Sequence, residues 1–340
     1  MYREVNQMTL KKSVCALLGA LGILILVLDA RTALQGAAAG MELCIRTVVP
    51  SLFPFLFLCG LLTDSLWGSR TLFLRVVGKR LGIPAGAESI LLSGFLGGYP
   101  AGASAVGNAV LQGSLSKEDG EHLLTFCSNA GPAFLFGMTA RQFPDLGWIF
   151  AMWLCLILSS LITGRLMPAP APSSAVLSPR TSSLSGSLNR TVKTMGAICG
   201  WVLLFRILTE FLNRWALWIF PDDIQVLLTG LLELSNGCCS LSRMDDLNLR
   251  FLVCTLIHAF GGLCVTMQTA SVIGGLSMKP YLMGKVIQTL FSVVLAALWL
   301  RFGWICPWTI LVIILAFPGK AVYNALITTG RTLYAVSEKN

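Results

Sequence analysis

Glu233 stands in the run LLTGLLELSNGCCS (227–240), and no other charged residue lies between Asp223 and Arg243. A carboxyl group in so apolar a stretch is costly to bury unless it is paired or hydrated, and such groups commonly serve function. Three kinds of chemistry suit it: binding a coupling cation, carrying a proton, or contacting a solute. The competing reading is an uncharged carboxyl bonded to a neighbouring helix. His258 carries the same ambiguity, between a proton relay and a histidine that only holds a backbone carbonyl. Ser128, Asn129, Ser235 and Asn236 would add donors and acceptors beside them, and Thr266 and Gln268 follow one to two turns later.

These side chains cluster where no helix would choose to continue. Four points break the pattern: Gly97-Gly98-Tyr99-Pro100, Ser128–Pro132 with Gly131, Glu233–Gly237, and His258–Gly262 with Gly261 and Gly262. Helix starts at such breaks offer N–H groups without an intrahelical acceptor, together with a partial positive charge. That chemistry suits a polar or anionic solute.

Catalysis fits the residues poorly. An intramembrane protease needs paired aspartates or a Ser/His constellation within spans. Here Asp64, Asp145, Asp222, Asp223, Asp245 and Asp246 fall near loops or span ends. Eleven cysteines show no CxxC spacing, and two histidines leave little for a zinc site. The expectation is therefore no enzyme, no metal site and no cofactor beyond a coupling cation. Cys127 and Cys238 fall at two of the breaks and offer thiols for labelling there.

The elements that hold these residues are membrane helices. Of 340 residues 55% are hydrophobic and 12% charged, about half the charge of a soluble domain. Apolar runs give the spans 13–29, 48–66, 121–140, 147–167, 191–213, 248–272, 280–300 and 305–326, with 31–47 a lateral or short helix. The first span follows Arg3, Lys11 and Lys12 and is expected to be a retained anchor, although GAAAG (36–40) offers small residues for cleavage. The net charge of +9 has no basic cluster interleaved with aromatics, which speaks against nucleic acid. Excess Lys and Arg set topology instead. With the N-terminus cytoplasmic, seventeen basic residues, Lys285 among them, fall inside and seven outside. That count requires 86–115 and 222–246 to enter the membrane and leave by the same side. Trp215, Trp218, Trp304 and Trp308 near span ends are interface anchors, and Arg206 pairs with Glu210 on one helix.

The segment MPAPAPSSAVLSPRTSSLSGSLNR (167–190) reads as a flexible cytoplasmic linker. The chain divides into an anchor and lateral helix (1–47), a first membrane repeat (48–167), the linker (168–190), a second repeat (191–300) and a C-terminal span and tail (301–340). The repeats rest on LLSGFL (91–96) against LLTGLL (227–232), and on LLTFCSNAGPAFLFGMTA (123–140) against VCTLIHAFGGLCVTMQTA (253–270). The second pairing needs no gap and superposes Thr125 on Thr255, Gly131 on Gly261 and Thr139 on Thr269. Each half reads as span, re-entrant helical hairpin, interrupted span, span. Three crossings per half turn the second upside down, the build of many secondary transporters. Hairpin arms at 87–96 and 101–112 would measure about 15 and 18 Å, half of a ~30 Å hydrocarbon core. The expected fold is an all-α polytopic membrane protein of two inverted repeats. A single kinked crossing over 86–115 is the alternative.

PSLFPF (50–55), GGYPAGA (97–103), LSKEDGEHLLTFCSNAGPAF (115–134), FGGLCVTMQTASV (260–272) and LSMKPYLMGK (276–285) resemble the YlbJ-type sporulation integral membrane proteins. Those belong with the nucleoside-recognition (Gate) domain proteins, similar to concentrative nucleoside transporters. The resemblance covers most of residues 45–300. It implies a carrier-like fold in a bacterial cell or spore membrane, and dipicolinate as the solute moved during sporulation. ELSNGC departs from the charged and polar residues expected of a sodium–nucleoside site. A non-transporting membrane scaffold for spore development and a nucleoside-type transporter are the alternatives. A homo-oligomer is compatible with either.

Overall fold

The computed structural model describes residues 2–68, 72–170 and 183–304, and among them every regular element is helical. Among the described residues five helices are long and apolar enough to cross a membrane, the build of an integral membrane protein. Their side chains are sorted inside out. Helix α15, Met278–Phe302, buries Tyr281, Lys285, Gln288 and Ser292 on one face. It exposes Met283, Val286, Leu290 and Val294 on the other. Polar groups turned inward and aliphatic groups outward suit a lipid surrounding, where only the interior offers hydrogen-bond partners.

Helix α1 spans Tyr2–Leu28, and Asp29 caps α2, Ala30–Leu43, by accepting from Thr32 N–H. No break separates α2 from α3, Val49–Ser65. A π-helical turn over Cys44–Val48 joins them, and the whole run has 36 residues. Pro50 explains the wide turn, since it has no N–H to return to a carbonyl one turn back. Residues 31–47 are thus continuous with the following span. At ~1.5 Å per residue the run exceeds a ~30 Å core and cannot lie wholly within it.

Helix α10, Leu184–Trp215, packs antiparallel along α2 and α3. It begins seven residues before the expected span because Ser183 caps it, accepting from Gly186 N–H at 3.0 Å. The last residues of the expected linker are therefore helical, while 171–182 lie outside the described residues. So does the expected span 305–326, with Trp308.

A second group of long helices comprises α9 (Leu146–Leu166), α13 (Leu247–Phe260) and α15, which pack on one another. Rings lock one end of this bundle, with Trp148–Trp299 centroids 5.2 Å apart and Phe251–Trp299 5.0 Å apart. Trp215, Trp218 and Trp304 are exposed.

Short, interrupted elements lie between the two groups. The chain folds back at Gly98–Pro100, between the short α5 (Ile90–Leu92) with its π-helical extension Ser93–Gly97 and helix α6, Ala101–Leu111. A Cβ on Gly102 would sit 2.8 Å from Gly94 Cα, so the two arms touch. The same happens later in the chain. Asp222–Leu232 and Leu234–Ser240 reverse at Glu233, and a Cβ on Gly237 would collide with Gly230 Cα. Residues 121–140 are not one helix. They comprise the end of Lys117–Leu124, an irregular stretch, Pro132–Gly137 and a 3-10 turn. The largest buried cluster takes Tyr99, Leu135 and Met152 together with Val226, Phe251 and Ala296, so both halves of the chain build one core.

Candidate functional site

Each break has a local cause. Gly98 sits at φ +76°, ψ −170°, a region open essentially to glycine alone. The Tyr99–Pro100 peptide bond is cis. Pro132 opens its helix at the position where a missing N–H costs nothing. Gly261, in the left-handed region at φ +85°, ends α13 with its N–H on the Ile257 carbonyl at 2.8 Å. The following helix, Gly262–Val272, starts at once. Glu233 ends one helix and caps the next.

The four breaks meet. A Cβ on Gly98 would lie 2.9 Å from Gly131 N, and a Cβ on Gly262 would lie 3.0 Å from the Gly230 carbonyl. Tyr99 links the pairs: its hydroxyl donates to the His258 carbonyl, and a Cβ on Gly261 would lie 3.3 Å from its ring.

Beside this junction lies a cavity of about 430 Å³, counting its open mouth. Gly98, Tyr99, Gly131, Glu233, Ser235 and Gln268 line it, with aliphatic groups of α3 and α10 opposite. The remaining expected site residues lie behind its wall. Gly97 packs on Cys59, and Thr266 Oγ1 bonds back to the Gly262 carbonyl at 3.0 Å. Asn129 is held on both sides, donating to the Phe126 carbonyl at 2.8 Å and accepting from Gln288 Nε2 at 2.6 Å. Ser128, Gly261 and Gly262 contribute backbone at the junction, not cavity wall.

Glu233 has a partner the sequence did not suggest. Its carboxylate accepts from Ser235 N–H at 3.0 Å and Asn236 N–H at 2.7 Å. Those N–H groups, expected to meet a solute, are taken by the chain's own carboxylate. Asn236 in turn accepts from Arg206. Arg206 does lie 3.8 Å from Glu210, as the spacing suggests, but it also reaches this junction. His258 holds the Cys254 carbonyl through Nδ1 at 2.7 Å, and its Nε2 faces Thr139 Oγ1 at 3.0 Å. Cys127 and Cys238 are buried and line neither cavity.

Sequence reasoning missed Lys285. Assigned to the cytoplasmic side, it is 1% exposed, and the seventeen inside charges become sixteen. Its Nζ donates to the carbonyls of Ser128 and Ala259, one from each interrupted segment, and to Gln288 Oε1 at 2.9 Å. The signal was available: Tyr281, Lys285, Gln288 and Ser292 recur at helical spacing in an apolar run. Gly284 lets α15 approach, because any Cβ there would strike the Thr125 backbone.

A second cavity of about 620 Å³, also open at its mouth, follows the same α3–α10 groove toward residue 190. Thr63, Ser93, Ser104 and Asn108 line it, and the Asp64–Arg190 ion pair spans it. Among the described residues no three His, Cys, Asp or Glu side chains gather as a metal site. Searched against protein-family models, curated proteins and solved structures, the chain matches none of them.

Proposed function

We propose that this protein is a membrane carrier or facilitator for a small polar solute, held where the four backbone breaks converge. That convergence is the observation that carries the reading. Irregular backbone among apolar helices is tolerated when it is buried in protein or lines a wet cavity, and discontinuous helices are the usual site-builders of secondary transporters. Two further features support inverted repeats with re-entrant hairpins. Gly94–Gly102 and Gly230–Gly237 close the two reversals in the same manner. The hairpins also contact the opposite half crosswise: Gly107 abuts Val272 and Ile273, and Cys238 meets Thr139. In this reading the N-terminus is cytoplasmic and no covalent chemistry takes place.

Among the described residues Glu233 is the one charged side chain on the inner cavity wall, so that wall favours an uncharged or zwitterionic solute over an anion. The resemblance to sporulation proteins nominates dipicolinate, which would have to enter despite that carboxylate. Uptake by purified protein in liposomes discriminates, with dipicolinate, a nucleoside and a zwitterionic amino acid as solutes. Expected is uptake above that of empty liposomes for at least one of them, lowered by Glu233→Ala and Gln268→Ala. Uptake of all three equal to the empty control overturns the carrier reading and favours a non-transporting scaffold.

A further inference from the structure

Lys285 is buried among groups that ordinarily hold a metal ion. An ammonium has three N–H donors, and three oxygens receive them: the carbonyls of Ser128 and Ala259, and Gln288 Oε1. A neutral amine has only two donors and would turn its lone pair on the third oxygen, so the geometry suits the charged form. Among the described residues Lys285 forms no ion pair. The rings of Tyr99 and Tyr281 flank the charge, with Nζ 4.9 and 5.9 Å from their centroids. The buried Ser128 hydroxyl at the same break faces the Tyr281 hydroxyl. Unwound carbonyls at helix breaks are the ligands transporters use for alkali cations, and here both interrupted segments supply one.

We propose that the Lys285 ammonium fills an oxygen-lined cation site shared by the two interrupted segments, a built-in cation in place of a bound Na⁺ or K⁺. The charge joins the two segments while it is in place, and no alkali ion competes for the oxygens. Removing the side chain leaves those oxygens without a donor, a state that costs stability until another cation satisfies them. The inference deepens the carrier reading by naming its cation, but the site itself can be tested without any flux.

The experiment is thermal unfolding of the purified full chain in detergent, in choline chloride, NaCl and KCl at equal ionic strength. Wild type is expected to melt at the same temperature in all three. Lys285→Ala is expected to melt lower in choline and to rise by about 2 °C or more, saturably, with Na⁺ or K⁺. Lys285→Arg, which keeps the charge, is expected to show no such rise. A monodisperse Lys285→Ala protein indifferent to all three salts overturns the proposal. So does a saturable rise of the wild type with Na⁺ or K⁺. If Lys285→Ala does not fold, the wild-type comparison decides alone. Failure of the liposome assay leaves this result untouched, so the two readings fall separately.

Discussion

The Tyr99 hydroxyl donates to the carbonyl of His258, a residue 159 positions further along the chain. The bond ties the first reversal to the second interrupted helix. Across the same junction Lys285 donates to the Ser128 carbonyl, and the gapless pairing of the two segments superposes Ser128 on His258. Two carbonyls at matching positions are thus each held by a side chain from elsewhere in the chain.

Tyr99→Phe removes the hydroxyl and keeps the ring. The lost buried hydrogen bond is expected to cost about 1–2 kcal/mol. The measurement is the melting temperature in detergent, expected to fall by several degrees. An unchanged midpoint would mean that the bond contributes nothing to holding the halves together.

Glu233 separates a capping role from a charge role. Glu233→Gln keeps an acceptor oxygen for one of the two N–H groups, whereas Glu233→Ala keeps none. The alanine variant is expected to lose about 0.5–2 kcal/mol, and the glutamine variant less. Equal melting temperatures for both variants would show that the cap is not what the carboxylate provides.

The two reversals depend on backbone contact. Gly102→Ala would drive a methyl into the Cys127 carbonyl, and Gly237→Ala would drive one into Gly230 Cα. Overpacking of this kind is expected to cost about 1–3 kcal/mol each. Gly196→Ala, inside helix α10 with open space around it, serves as the control expected to hold or slightly raise the midpoint, since alanine favours a helix over glycine by about 1 kcal/mol. A Gly237→Ala protein as stable as the control would remove the close approach.

Water access can be mapped with thiols in a cysteine-free background. Ser235→Cys and Gln268→Cys are expected to react with a membrane-impermeant reagent, since both positions line the inner cavity. Cys127 and Cys238 restored singly are expected to stay unreactive, being 1% exposed each. The readout is mass shift after labelling. Labelling of Cys238 with Ser235→Cys silent would reverse the assignment of wall and backing.

Much of this molecule was legible beforehand because lipid imposes strong rules on composition. Apolar length marked the long helices, and glycine, proline and lone polar residues marked the four breaks, since a helix interior tolerates them poorly. Partners were not legible. Glu233 could be read as buried and ionisable, but its bonds run to N–H groups two and three residues ahead and depend on how the chain turns there. Lys285 could be read as charged and near a span end. Only the approach of α15 over Gly284 brings it under the Ser128 and Ala259 carbonyls. The sequence by itself determined which segments are apolar and where the backbone must break, because those follow from hydrophobicity and φ/ψ preference along the chain. The tertiary structure decided which oxygens and donors face one another, because burial satisfies polar groups by contacts between residues far apart in that chain.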